Sequence, residues 1–186
     1  MEGDWWLRYT QYMNYIPLLE VDERDLPTGR QVTKQVAHDE KIIHRCVAVY
    51  VFDAQGNLYV QVHKKSKGML DHSVGGHVDG DETYLDAAYR EMYEELGLDG
   101  VELHEIATKY LSNEHRYIHM FGIFECQAHE NWTFQPNEEV GEIFTKSLPD
   151  IVNDMNQSPD KYTGGFLNTM KKYLEVKNID LDLRIN

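Results

Sequence analysis

Positive charge is scarce in this chain, and so are cysteine and proline. Of 186 residues, 18 are lysine or arginine against 32 aspartate or glutamate, a formal net charge of -14. A surface of that sign repels nucleic-acid backbones and anionic membranes, so neither is an expected partner. Two cysteines, Cys46 and Cys126, are too few for a disulfide framework or a zinc-cysteine site. Each lies in an apolar, strand-like run and is expected to be a buried free thiol. No apolar run approaches the ~20 residues that span a bilayer. The opening Met-Glu-Gly-Asp-Trp-Trp lacks the basic-then-apolar order of a signal peptide. A cytoplasmic location is therefore expected.

What is present is ordinary globular material, 41% hydrophobic and 11% aromatic. The length suits one domain over 1–186. Ile16 to Val21 reads as a strand, Asp25 to Gly29 as a turn and Gln31 to Lys34 as a return strand, so a hairpin is expected at about 16–34. Cys46 to Phe52 and the alternating Leu58 to His63 read as a second hairpin about Asp53 to Asn57. Further strands are expected at Ile106 to Leu111, Tyr117 to Cys126 and Glu142 to Thr145. They complete a core at about 44–146, and two helices at about 148–176 close the chain. Mixed strands with a central helix predict an α/β (or α+β) sandwich.

The central helix carries the chemistry. From Gly76 to Leu98 a glycine loop leads into a helix with Thr83 as N-cap, Asp86 three residues on, and Gly97 at the C-terminal left-handed position. Leu85, Ala88, Met92 and Leu96 are its expected apolar stripe, with Glu91, Glu94 and Glu95 at the edge of that stripe. Carboxylates at i, i+3 and i+4 share one face and repel unless a cation lies among them. Oxygen donors of this kind suit Mg²⁺ or Mn²⁺, which keep positions open for water and substrate phosphates. The alternative is a solvated acidic face, but solvation does not require the accompanying glycines and arginine.

This stretch resembles the Nudix box. Gly76, Glu82, Arg90, Glu91, Met92, Glu94, Glu95, Gly97 and Leu98 fill each constrained position of that signature. The resemblance implies a mixed sheet between helices, a Nudix-like α/β/α sandwich in which the box forms loop-helix-loop. It also implies hydrolysis of a diphosphate linked to another group. The implied metal ligands are Gly76 through its carbonyl, Glu91, Glu94 and Glu95, with Glu82 holding the loop or a further ion. Arg90 is implied to orient the carboxylates. The base varies across the family, so Glu94 and a later glutamate, Glu139 beside Glu138, both stand as candidates. Lys64, Lys65 and Lys67, just upstream, could meet substrate phosphates as point charges or serve only as solvated loop residues.

Beyond the box the chain resembles the branch close to type 1 isopentenyl-diphosphate isomerase, through Ala37-His38, Ile43-His44-Arg45 and Ser73-Val74-Gly75-Gly76-His77. The resemblance implies a second metal site at His38, His44 and His77, with Glu114 as a matching glutamate, for a transition metal such as Zn²⁺ or Mn²⁺. Spacing alone leaves open that these are separate polar residues. The departures matter more. Gly75 stands where the isomerases have a catalytic cysteine, and Arg116 lies near the place of their second catalytic carboxylate. Isomerising a carbon-carbon double bond needs an acid and a base across the alkene. The expected activity is therefore a metal-dependent hydrolase of a nucleoside diphosphate derivative or other small organic diphosphate. An isomerase-like enzyme and a non-catalytic binding module are the alternatives. Trp5, Trp6, Tyr110, Tyr117 and Trp132 could stack on a base, though such residues are more often core. A homodimer is implied only by family habit.

Overall fold

The computed structural model describes residues 17–64, 67–113, 117–135 and 140–185. Nine strands and four α-helices make the described fold. The strands are β1 (Leu18–Val21), β2 (Pro27–Val32), β3 (His44–Phe52), β4 (Leu58–His63), β5 (Met69–Asp71), β6 (Val74–His77), β7 (His104–Asn113), β8 (Ile118–Gln127) and β9 (Val140–Lys146). The helices are α1 (Lys34–Asp39), α2 (Tyr84–Leu96), α3 (Leu148–Gln157) and α4 (Gly164–Val176).

Strand β3 is the axis of the sheet. It runs parallel to β8 from His44↔His119 to Phe52↔Gln127 and antiparallel to β6 from Cys46↔His77 to Val49↔Val74. Its near-continuous apolar sequence follows from burial on both faces. Side chains alternate across a strand, and the two sets go to different cores. Cys46, Ala48 and Tyr50 join Phe121 and Ile123 under α3 and α4, among Ile151, Met155, Phe166 and Met170. Val47, Val49 and Val51 join Phe124 and Cys126 under α2, among Ala87, Ala88, Met92 and Leu96. The result is helix, mixed sheet, helix, the α/β/α sandwich expected. Both cysteines are buried and free, and burial pushes the Cys126 thiol up to about 12.

The N-terminal hairpin departs from its expected bounds. Asp22 Oδ1 accepts from the Arg24 and Leu26 amides, so the turn closes over Asp22–Leu26 and β2 begins at Pro27, ahead of the expected Gln31. Thr33 then accepts from the Val36 amide as N-cap, and Lys34 starts α1 instead of ending a strand. Asp25, buried in that turn, bonds Arg45 Nε at 2.6 Å and accepts from the Tyr84 hydroxyl at 3.1 Å. These contacts fasten the hairpin to β3 and to the first turn of α2.

Helix α2 is capped as expected: Thr83 and Asp86 form a reciprocal capping box, and Gly97 ends the helix at φ 60°. Its stripe is shifted. Leu85 is 42% exposed, while Glu91 and Glu95 are buried with Ala87, Ala88, Met92 and Leu96. The helix is rolled so that its glutamate face lies on β6, where Gly75 and Gly76 leave room for it. Thr83→Ala removes the hydroxyl from the box, and chemical denaturation should report a loss of about 1 kcal/mol with unchanged m-value.

Candidate functional site

The centre of the site is the seam between α2 and β6. A Cβ placed on Gly76 would lie 2.0 Å from Glu91 Oε1 and 2.1 Å from its carboxyl carbon, so only glycine lets this carboxylate reach the strand. One turn further on, Glu95 Oε2 accepts from the Gly75 amide at 3.2 Å and from Gln61 Nε2 at 3.1 Å. Glu91 is 9% exposed and Glu95 only 3%. Glu94 points to solvent. The structure thus brings Gly76, Glu91, Glu94 and Glu95 to one short stretch of helix and strand.

Arg90 organises this group. Its guanidinium holds Glu82 bidentately, with Nε to Oε1 at 2.8 Å and Nη2 to Oε2 at 2.9 Å. Nη1 reaches Glu91 Oε1 at 2.8 Å and Glu94 Oε2 at 3.1 Å, and Nη2 also donates to the His77 carbonyl at 2.9 Å. Such a planar fork suits several carboxylates at once in a way an ammonium does not. Glu82 in turn accepts from the Asp79 amide at 3.0 Å, which closes the loop between β6 and α2. The expectation for Glu82 included a second role at a further ion; the geometry describes its loop-holding contacts.

The electrostatics are unusual for surface acids. Burial, with Glu94 and Asp79 beside it, raises Glu91 to about 7 despite Arg90. Burial and the neighbouring Glu91 raise Glu95 well above the ordinary carboxyl range. Without a cation, burial therefore favours the protonated form of both groups. Gln61 belongs to the same seam and was not selected from sequence. It is 1% exposed, and its Oε1 has no hydrogen-bond partner although its Nε2 donates to Glu95. Its signal was weak: one polar residue at a core-facing position of an alternating strand. Two buried carboxylates, a glycine backbone at contact distance and an orphaned amide oxygen form an oxygen donor set of the kind a hard divalent cation takes.

The other expected residues lie elsewhere. Lys64 directly follows β4 and Lys67 lies in the turn at φ 57°, both exposed; a Cβ on Gly141 of β9 would meet Lys64 Cε at 2.8 Å. Lys65, Glu114, Glu138 and Glu139 lie outside the described residues, as do Trp5 and Trp6. Trp132 packs edge-on against Tyr59 in the core under α2, with ring centroids 5.1 Å apart. Tyr110 packs under α4 in the opposite core.

Beside the carboxylates stands a second cluster. His38 of α1, His44 of β3 and His77 of β6 converge, so they are not separate polar residues, and His119 of β8 joins them. One ligand nitrogen from each lies within 4.8 Å of the others. His119 was missed in the sequence, because only the parallel register His44↔His119 makes the two neighbours. Burial and His119 lower His44 to about 3, and burial, Lys34 and the other histidines push His77 well down, so both rings are neutral.

A family model described as NUDIX domain matches residues 42–163, about two thirds of the chain. The chain belongs to the Nudix family. A Nudix hydrolase of Yersinia pestis is 30% identical over 153 residues, covering 80% of each chain. An isopentenyl-diphosphate Delta-isomerase of Pectobacterium atrosepticum is 31% identical over 165 residues, covering 81% of this chain and 89% of its own. Among solved structures, the DR0079 protein of Deinococcus radiodurans shares the fold with a TM-score of 0.68 at 23% identity, covering 84% of this chain and 97% of that one. The seam described above is the Nudix box in three dimensions, and this Nudix hydrolase keeps every constrained residue of it. None of the helices among its described residues is long and apolar enough to cross a membrane.

Gly76→Ala tests the seam directly. The added methyl must displace the Glu91 carboxylate, so turnover should fall about 10²-fold while the circular dichroism stays that of the native fold. Arg90→Lys keeps the charge but loses the fork, and should cost about tenfold or more in the same assay.

Proposed function

We infer that this Nudix hydrolase cleaves a diphosphate linkage in a small organic substrate, with a divalent cation, Mg²⁺ or Mn²⁺, held at the α2–β6 seam. The observation that carries this reading is the pair of buried carboxylates, Glu91 and Glu95, packed against Gly75 and Gly76 of β6 with their pKa values raised. Burying two like charges without a counterion is costly, so the arrangement is stable when a cation offsets them. Glu91, Glu95, Glu94 and the Gly76 carbonyl are the proposed ligands, with Gln61 Oε1 as an added donor in the seam. When bound, the cation supplies charge neutralisation at the phosphates and lowers the pKa of water.

The chain's own residues do the rest. Arg90 bonds Glu91 and Glu94 through one nitrogen and sets the loop through the His77 carbonyl, so the carboxylates need not reorganise as charge develops. Glu94, exposed at the mouth of the seam, takes the proton of the attacking water, with Glu139 the other candidate for that base. Lys64, Lys65 and Lys67 supply local positive charge on a chain of net charge -14, which would otherwise repel a phosphorylated substrate.

The resemblance to isopentenyl-diphosphate isomerases suggests a second reading, and Gly75 argues against it. No side chain there can act as an acid, and a Cβ would already meet His72 Nδ1 at 3.3 Å.

Phosphate release across nucleoside diphosphate derivatives, dinucleotides and isoprenoid diphosphates tests the function. Turnover should require Mg²⁺ or Mn²⁺, and Glu95→Gln or Glu91→Gln should lower it by about 10²-fold or more. Isomerised product without phosphate release would overturn the reading.

A pH measurement tests the ligand set. Glu91 sits at about 7 in the fold against a reference value of 4.5. The metal-free fold therefore holds its proton more tightly than the unfolded chain does. This group's contribution to stability is full below the reference value and is lost as pH rises through about 7. A cation must displace that proton, so the rise in Tm on adding Mg²⁺ should grow from about pH 6 to pH 8. A rise independent of pH would show that the cation binds elsewhere.

A further inference from the structure

A chain of polar side chains crosses the apolar core under α4. His72, between β5 and β6, is 3% exposed, and Thr169 and Tyr50 are fully buried. The His72 ring lies among Tyr50, Phe121 and Phe166, with centroids 5.5 to 6.1 Å away. Its Nδ1 is 2.7 Å from Asp71 Oδ1, which also accepts from the His72 amide at 2.8 Å and from the Thr163 hydroxyl at 2.7 Å. On the other side of the ring, Nε2 is 2.6 Å from Thr169 Oγ1. That hydroxyl in turn has the Tyr50 hydroxyl at 2.9 Å and the Gly165 carbonyl at 2.8 Å. A carboxylate only accepts, so Nδ1 donates to Asp71, and the ring is fixed at both nitrogens.

Burying such a chain costs desolvation that a leucine in the same place would not, so its value lies in what it fixes. What it fixes is the back of the seam. A Cβ on Gly75 would lie 3.3 Å from His72 Nδ1 and 3.8 Å from its Cγ, whereas a Cβ on Gly76 would meet Glu91. Successive residues of a strand face opposite sides. Strand β6 is therefore held between Glu91 in front and His72 behind.

Both donors to Glu95 depend on this pair. One is the Gly75 amide, at the point where the His72 ring backs the strand. The other is Gln61 Nε2, and Gln61 is the cross-strand partner of Asp71. Strand β5 has only three residues and pairs with β4. Its outer side is held from the start of α4, where the Thr163 amide donates to the Leu70 carbonyl at 2.9 Å and Tyr162 bridges to Leu70.

We propose that His72 is a positioning residue for the hydrolytic site, clamped between Asp71 and Thr169 so that α4 holds β5 and β6 at the spacing Glu95 needs. The proposal rests on the reading of Glu95 as a cation ligand. His72 acts on that ligand through Gly75 and Gln61, from the opposite face of the sheet.

The full chain is compared as wild type, Thr169→Val, Thr169→Ser and Ile151→Val, with circular dichroism confirming the fold. Valine keeps the shape of threonine but takes the hydroxyl from His72 Nε2, whereas serine keeps it. Ile151→Val trims the same core from α3 instead of α4 and should lower Tm by about 3 °C. In the metal-free protein the Gly75 amide, measured against the amides of β3, should exchange about tenfold faster in Thr169→Val and as in wild type in the other two. The Mg²⁺ concentration giving half of the full Tm rise should grow about tenfold in Thr169→Val alone. Its kcat should fall about tenfold, with KM within about twofold of wild type. His72→Asn keeps a donor for Asp71 but falls short of Thr169. It should behave as Thr169→Val does, and it carries the test if that variant does not fold. Wild-type exchange, Mg²⁺ binding and kcat in Thr169→Val, no rescue by Thr169→Ser, or the same losses in Ile151→Val would each overturn the proposal. Glu95→Gln tells its failure from that of the ligand assignment. Turnover and Mg²⁺ binding equal to wild type in Glu95→Gln would remove the ligand and the proposal with it. A loss there, beside wild-type values in Thr169→Val, would overturn the positioning role alone.

Discussion

Two like charges held inside the protein are the constraint around which the site is built. Glu91 and Glu95 lie on the buried face of α2, against a strand that offers two glycines in place of side chains. Nothing in a hydrophobic core asks for that arrangement. A helix with its stripe centred on Leu85, Ala88, Met92 and Leu96 would place the carboxylates at the margin and bury one more leucine. The fold instead exposes Leu85 and turns the acids inward, giving up apolar burial to bring oxygen donors against the backbone of β6. Arg90 makes this tolerable from one side, with Glu82, Glu91, Glu94 and the His77 carbonyl all on a single guanidinium.

That trade explains why the box has the residue types it has. Gly76 is required by contact distance, since any side chain would occupy the space of the Glu91 carboxylate. Gly97 is required by the left-handed turn that ends the helix. Arg90 is required by geometry, because its fork reaches two loop groups and two helix groups together. The hairpin contributes from a distance: Asp25 links Arg45 of β3 with Tyr84 at the head of α2, so the orientation of the helix depends on a turn some sixty residues earlier.

Much of this was legible in the sequence. The box announces itself through spacing, and the capping residues Thr83, Asp86 and Gly97 mark the helix it rides on. The apolar run of β3, the alternation of β4 and the helices around them were plain enough to give the sandwich. What escaped reading depends on partners that no local pattern reveals. The roll of α2 is set by what β6 lacks, and Gly75 and Gly76 look like loop residues until they are paired with Val47 and Ala48. The hairpin turn moved because the Asp22 side chain satisfies two amides, a local competition that the Asp25-Leu-Pro-Thr-Gly29 signal obscured. Gln61 and His119 each sit singly in apolar strands and acquire meaning only from the residue across the sheet.

The parallel pairing of β3 with β8 has a further consequence for how the chain reaches its final state. His44 and His119 are in register across 75 positions of sequence (119 less 44). Closing a loop of that size is slow compared with forming a hairpin, and a parallel pair cannot form until its crossover has been made. During synthesis the box helix and its capping residues are complete about twenty residues before His119 is added. A nascent chain therefore has its acidic helix before its fourth imidazole, and the cluster near the box waits on the pairing of β8 with β3.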